Sequence, residues 1–186
     1  MPSQQPSDQQ RAAHLLAVFL MEARAQAGYA VVAADDFKKC LADRDVRRFW
    51  FNVQAFLVAA ANVSKLLKNP TYGPPLELEL GVALTSPVHE RDLRNAFEHF
   101  DERLATWASQ SKTLNLIDSS IMPPNVIQGI DADAYLRNFD PATETFTFRG
   151  VSLVLPPLVV ELRRIHAQAE ASLERLHQGL GPQGTP

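Results

Sequence analysis

One cysteine in 186 residues, Cys40, leaves no partner for an intrachain disulfide and no cysteine cluster for zinc. Placed one turn after Phe37 in a helical pattern, it reads as a small buried side chain. An excess of positive charge is missing as well. Eighteen Lys and Arg against 21 Asp and Glu give a formal net charge of -3, so no global field draws the chain to a polyanion. Any polyanion has to be held by a local site. Long uninterrupted apolar runs are also lacking. "FWFNVQAFLVAAANV" carries Asn52 and Gln54 inside it, and "VSLVLPPLVV" is broken by Pro156 and Pro157, so neither reads as a bilayer span. The opening "MPSQQPSDQQ" has no basic start and no apolar core, which excludes a signal peptide from these residues and makes a cytoplasmic location, away from membrane, the expectation. No internal repeat, glycine-rich phosphate loop, nucleophile elbow or zinc-finger spacing is present.

What is there is helical periodicity. From Ala12 onward, Leu16, Phe19, Ala23, Ala27, Ala30, Ala34, Phe37 and Leu41 recur in steps of three or four. They predict one helix from about Ser7 to Ala42, capped by Ser7 or Asp8, with Gly28 the place where it would break. Asp43 or Asp45 caps a second helix ending at "KNPTYGPP". Its main stripe is Val46, Phe49, Val53, Phe56, Ala60, Val63 and Leu67. A second stripe, Trp50, Leu57, Ala61 and Ser64, widens the apolar surface, while Phe51 and Val58 fall elsewhere. A surface that wide implies contact with neighbours on more than one side, one of which can be a second copy of the chain. "LELELGVAL" is a minor helix or turn.

A third long helix is expected from "TSPVHERD" to about Ser111, with Ser86 as cap, Pro87 in the first position and Glu90 near the capping-box place. From 113 to 155 the texture changes to an irregular, β-containing insertion. Within it "YLRNF" and "ETFTFR" flank "DPAT" as a hairpin. The fourth long helix is "PPLVVELRRIHAQAEASLERLHQG", with Leu158, Leu162, Ile165, Ala169, Leu173 and Leu176 as its stripe. Residues 1–7 and 179–186 read as frayed tails. The fold expected is mainly α: a single domain, 1–186, built as a four-long-helix bundle with a small β-hairpin insertion between the third and fourth long helices.

Chemistry concentrates in the third helix. Leu93, Phe97, Phe100, Leu104 and Trp107 make one narrow core stripe, which puts Arg94 and His99 at the borders of an outward polar face with Asn95, Glu98 and Glu102 between them. An arginine fork binds phosphate in a bidentate way, and a histidine exchanges a proton at neutral pH, so this pair of residue types suits RNA cleavage by the ribose 2′-hydroxyl. The spacing alone does not separate that reading from a solvated helix face. With five histidines in the chain it arises about once by chance.

"LRNAFEHFDERL" resembles the signature helix of the HEPN superfamily (higher eukaryotes and prokaryotes nucleotide-binding domains), whose motif is Arg, often Asn, then a few residues and His; Arg94, Asn95 and His99 fall on it. "RFWFNVQAFLVAAANVSKLL" followed by this helix is also similar to a group of uncharacterised bacterial proteins. The resemblance covers mainly the second and third helices. It implies a four- or five-helix bundle that dimerises with the motif at the cleft between protomers. It further implies binding of RNA or nucleotides, and in active members metal-independent endoribonuclease activity with Arg94, His99 and Asn95 as the site. Such members occur in toxin–antitoxin systems, which makes an antitoxin-like protein a partner beside the homodimer. Neither cofactor nor metal is expected. The sequence departs from one toxin group, which has Tyr two positions after the histidine, where this chain has Asp101. The contrasting reading is a non-catalytic dimeric interaction protein with a solvated polar helix face.

Other constellations are weaker. Arg44, Arg47 and Arg48 at the start of the second helix form either a phosphate patch or a salt-bridge cluster with Asp43 and Asp45. Asn62, Ser64 and Lys65 either line a cleft with the third helix or make ordinary inter-helix contacts. Glu174 and His177 have ligand spacing on the last helix, but no second Glu-x-x-His completes a bundled metal site.

Overall fold

A computed structural model describes residues 7–111, 114–123, 126–130 and 134–179. The first helix, α1, runs Asp8–Asp43 without a break. Ser7 caps it through a capping box with Gln10, and Arg44 closes it in the left-handed conformation at φ 57°. Gly28 is therefore not a hinge. A Cβ added there would lie 3.1 Å from His166 Cε1 on the last helix, whose Nδ1 is 2.9 Å from the Arg24 carbonyl oxygen. Glycine is present because an imidazole ring rests on the helix backbone.

The second helix, α2 (Val46–Leu67), is capped by Asp45, whose carboxylate accepts from the Arg48 N–H. Both expected stripes are buried apart from Val46, which is exposed at the helix start. A short helix, α3 (Gly73–Leu80), begins inside the Pro/Gly linker and stops at left-handed Gly81. The last helix, α6 (Leu155–Gly179), buries Leu158, Leu162, Ile165, Ala169 and Leu173. Gly179 is its final residue rather than the start of a tail. Residues 1–6 and 180–186, the rest of the expected frayed tails, lie outside the described residues.

At the centre stands α1. It packs against α2 on one side and α6 on the other, and both run antiparallel to it. Ala23, Ala27, Ala30 and Ala34 are all but inaccessible. Small side chains along that face let the flanking helices approach closely. By length and composition α1 is also the one described helix that could cross a membrane; in this fold it carries one face of the core.

The expected third long helix is not continuous. Ser86 caps only a 3-10 turn, Pro87–His89, and its hydroxyl donates to Glu161 on α6. Two short helices follow, α4 (Asp92–Glu98) and α5 (Phe100–Gln110), with His99 between them at φ -102° and ψ 39°. α4 is tied down by buried Leu93 and Ala96, and by Phe97, whose ring lies 4.6 Å from Phe148 and 5.5 Å from Phe146. α5 buries no residue completely. Phe100, expected in the core stripe, is 54% exposed, while Leu104 and Trp107 are half-buried. The helix bends where its anchoring ends, at a position with neither glycine nor proline.

The insertion forms a small mixed sheet. β1 (Ser120–Ile121) pairs in parallel with β2 (Arg137–Asp140), and β2, β3 (Thr145–Phe148) and β4 (Val151–Val154) form an antiparallel meander. The expected hairpin is β2–β3, its turn held by the Asp140 carboxylate, which accepts from the Ala142 N–H and the Thr143 hydroxyl. β4 was not read from the sequence. Its two-residue connection, Arg149–Gly150, has φ 45° and 80°, the paired positive values that a tight hairpin needs. Phe139 and Phe146 lay the sheet on Phe49, Trp50 and Phe97. The architecture is mainly helical with one small sheet.

Candidate functional site

Arg94 is not on an outward face. It is 8% exposed, because α4 turns that side toward α2 and the sheet. One guanidinium nitrogen, Nη2, donates to Glu98 Oε2 one turn later at 2.5 Å. Its Nε and Nη1 are buried without a partner. Unpaired donors on a buried cation are costly and call for a reason.

Glu98 is the hub of the surroundings. Its other oxygen, Oε1, lies 3.9 Å from Lys65 Nζ, which reaches over from the end of α2. The hydrogen bond from Arg94, with the charges of Arg94, Lys65 and His99, holds the Glu98 carboxyl below its ordinary range against the opposing effect of desolvation. His99, at the helix bend, is exposed, and its Nδ1 is 3.4 Å from Glu102 Oε1. Asn95 is half-buried, and its carbonyl accepts the His99 N–H. Of the three residues singled out, Arg94 and His99 both neighbour Glu98, one beneath it and one outside. They do not border a common open face.

A groove of about 210 Å³ opens beside this cluster, lined by Arg94 and Glu98 with Gln54, Val58, Phe97 and Phe100. Arg94 also borders a void of about 10 Å³, at the lower limit for a single water, among Leu57, Val88, Glu90, Leu93 and Leu158. The bend thus gives Phe100 a second use as a groove wall. What the site offers chemically is a buried guanidinium, a half-exposed ammonium and an imidazole around one carboxylate, next to two aromatic rings.

The groove also joins a larger apolar surface. On α1, Val18, Met21, Tyr29 and Val32 form an exposed stripe opposite to the core stripe, and Phe51 and Val58 continue it on α2. Phe51 is 71% exposed. Shallow grooves of about 540 and 420 Å³ run along this face, and the second shares Gln54 and Val58 with the groove at Arg94.

Of the remaining constellations, Lys65 pairs with Glu98 of α4, Asn62 donates to Gln26 on α1 and Ser64 is buried, all of them inter-helix contacts or core packing. Arg44, Arg47 and Arg48 are exposed, and no ion pair joins them to Asp43 or Asp45 among the described residues. His177 Nδ1 is satisfied by the Leu173 carbonyl. No group of three or more His, Cys, Asp or Glu side chains suited to a metal ion occurs among the described residues. Cys40 is buried, with the Asn52 amide 3.6 Å from its Sγ. Glu98, expected on the polar face between Arg94 and His99, is the i,i+4 partner of Arg94, and that spacing is the sequence signal for the pair. No family model matches this chain, and neither a curated protein nor a solved structure does.

Proposed function

We propose that this chain is a HEPN-like domain that binds single-stranded RNA or nucleotides through the Arg94–Asn95–His99 segment, α1, α2, α4–α5 and α6 standing for the four helices of that bundle. The observation that carries the reading is Arg94. A guanidinium nine-tenths buried, with two nitrogens unpartnered, sits at the wall of a groove that also has Glu98 and two phenylalanines in its lining, and Lys65 approaches that Glu98 from α2. Phosphate suits the Nη2 edge of the guanidinium and the ammonium, and bases stack on Phe97 and Phe100. Cleavage needs more than binding: the exposed imidazole of His99 has to reach the ribose 2′-hydroxyl, with a second proton carrier from another protomer.

The test has two stages. Single-stranded RNA should bind the protein, and Arg94→Gln should weaken that binding about tenfold or more, read by fluorescence anisotropy. In EDTA, an active enzyme leaves 2′,3′-cyclic phosphate ends and loses its activity in His99→Ala. Binding without cleavage reduces the reading to a nucleotide-binding domain. Absence of both sinks it.

A second reading has its own observation. The exposed stripe of Val18, Met21, Tyr29, Val32, Phe51 and Val58 supports a non-catalytic, dimeric interaction protein, since contiguous apolar surface on this scale marks a contact face. A second copy placed on it would bring the Arg94 groove to the edge of the interface; an antitoxin-like partner would occupy the same face. Light scattering distinguishes them. A monomer at tens of micromolar removes the homodimer, and Phe51→Glu should dissociate a dimer without unfolding it.

A further inference from the structure

The cluster on Glu98 has the geometry of a bound anion, with the anion supplied by the chain itself. Oε2 takes the hydrogen bond from Arg94 on the same helix, and Oε1 faces Lys65 from α2, so each carboxylate oxygen has a cation from a different element. Accessibility divides the pair unevenly. The Glu98 side chain is 43% exposed and that of Arg94 is 9%. The carboxylate therefore lies over the guanidinium on the solvent side, at the groove wall. A phosphodiester arriving along Phe97 and Phe100 meets Glu98 before it meets Arg94.

We propose that Glu98 is an intramolecular latch on the Arg94 anion site, occupying the place of a ligand phosphate and yielding it by rotating toward solvent. The inference rests on the RNA-binding reading and refines it. A tethered carboxylate competes at a high effective concentration, so the closed site discriminates against weak anions such as free phosphate. A polyanion that also engages Lys65 and stacks on the phenylalanines can displace it. Swinging out is open to Glu98 because its side chain is half in water, whereas Arg94 is walled in by α2 and the sheet. The latch also balances the buried charge of Arg94, since with no ligand present Glu98 satisfies Nη2.

The test is anisotropy of a short fluorescein-labelled oligouridylate on five proteins (wild type, Glu98→Gln, Arg94→Gln, the double variant and Asp101→Asn), each first shown to be folded by its melting curve. Glu98→Gln should bind about tenfold more tightly than the wild type, because an amide is a weaker competitor for the guanidinium than a carboxylate. Arg94→Gln combined with Glu98→Gln should lose that gain. Asp101→Asn removes the same charge from an exposed position without touching Arg94, and should stay within about threefold of the wild type. If Glu98→Gln melts below the assay temperature, Glu98→Ala is read in its place. Equal binding by wild type and Glu98→Gln, with loss on Arg94→Gln alone, overturns the latch and leaves the RNA reading intact. A gain in Asp101→Asn as large as in Glu98→Gln also overturns it, since net charge then explains the effect. If none of the proteins binds, latch and reading fall together.

Discussion

α1 and the α4–α5 segment have the same apolar spacing and opposite fates. In α1, steps of three and four carry Ala23, Ala27, Ala30 and Ala34 into a face closed by α2 and α6. In α4–α5, the same steps carry Leu93 into the core, Phe97 halfway, and Phe100 out into water. A stripe states which side of a helix prefers to be dry, and not how far a neighbour extends to cover it. α1 is flanked from Leu20 to Cys40, whereas α4 is anchored on the small sheet and α5 has outrun it. The bend at His99 follows from that difference, and with it the groove at Arg94.

The largest expected effect tests the contrast directly. Phe56→Ala, at the wholly buried centre of α2 against Phe37, should cost about 3–5 kcal/mol, and Phe100→Ala no more than about 0.5 kcal/mol, both by urea unfolding. Equal losses would mean that α5 is packed after all. Phe97→Ala belongs between them, at about 2 kcal/mol, since its ring is half-buried yet stacked on Phe146 and Phe148.

The next prediction sharpens the α1 side. Gly28→Ala should be neutral or destabilising in the wild type, because its methyl meets His166 at 3.1 Å. In a His166→Ala background the same change should stabilise by up to about 1 kcal/mol, the ordinary helix preference for alanine. A double-mutant cycle reads the reversal, and purely additive values would show that the ring does not rest on the glycine.

A smaller effect is expected with pH. The hydrogen bond from Arg164, helped by that from Ser86, holds the Glu161 carboxyl below its ordinary 4.5. Its folded value is the lower one, so its stabilisation is present above about pH 4.5 and is lost as pH falls through the folded value. Glu161→Gln should flatten part of the acid-side fall in melting temperature. An unchanged slope would mean that the link from α6 to Ser86 and to the Leu80 carbonyl, through Arg164, does not depend on that charge. Smallest of all, amides of α5 should exchange with solvent well before those of α1, with no difference in global stability needed to see it.

The long helices were legible because α1, α2 and α6 each bury a face with a regular period, and because cap residues stand at the starts of α1 and α2, where the structure uses Ser7 rather than Asp8 and Asp45 rather than Asp43. The hairpin was legible from Asp140 and its turn. β4 was not, because Arg149 adopts a positive φ that its side chain does not advertise, and "VSLVLPPLVV" runs from strand into helix without a break. The bend at His99 carries no local signal, being set by what Phe97 meets in a sheet some fifty residues further on. Arg94 was picked out for its chemistry and misplaced in depth for the same reason. A projection onto a straight helix put it outward, whereas α2 and the sheet close over it.

The two sides of α1 differ greatly in chain separation. α2 follows it after Arg44 and Asp45 alone, whereas the ion pair between Asp35 and Arg163 on α6 spans 128 residues. Closing so long a loop has to precede any gain from docking α6. Refolding is therefore expected to proceed by early formation of the α1–α2 hairpin, with the side of α1 at Arg24, Gly28 and Asp35 exposed until α6 arrives. Pulse-labelled hydrogen exchange should find α1 and α2 amides protected before those of α6, and simultaneous protection would contradict that order. During that interval this side of α1 is an unsatisfied helix-docking surface, so a competing peptide with the sequence of α6 should slow the last folding step while leaving the finished fold untouched.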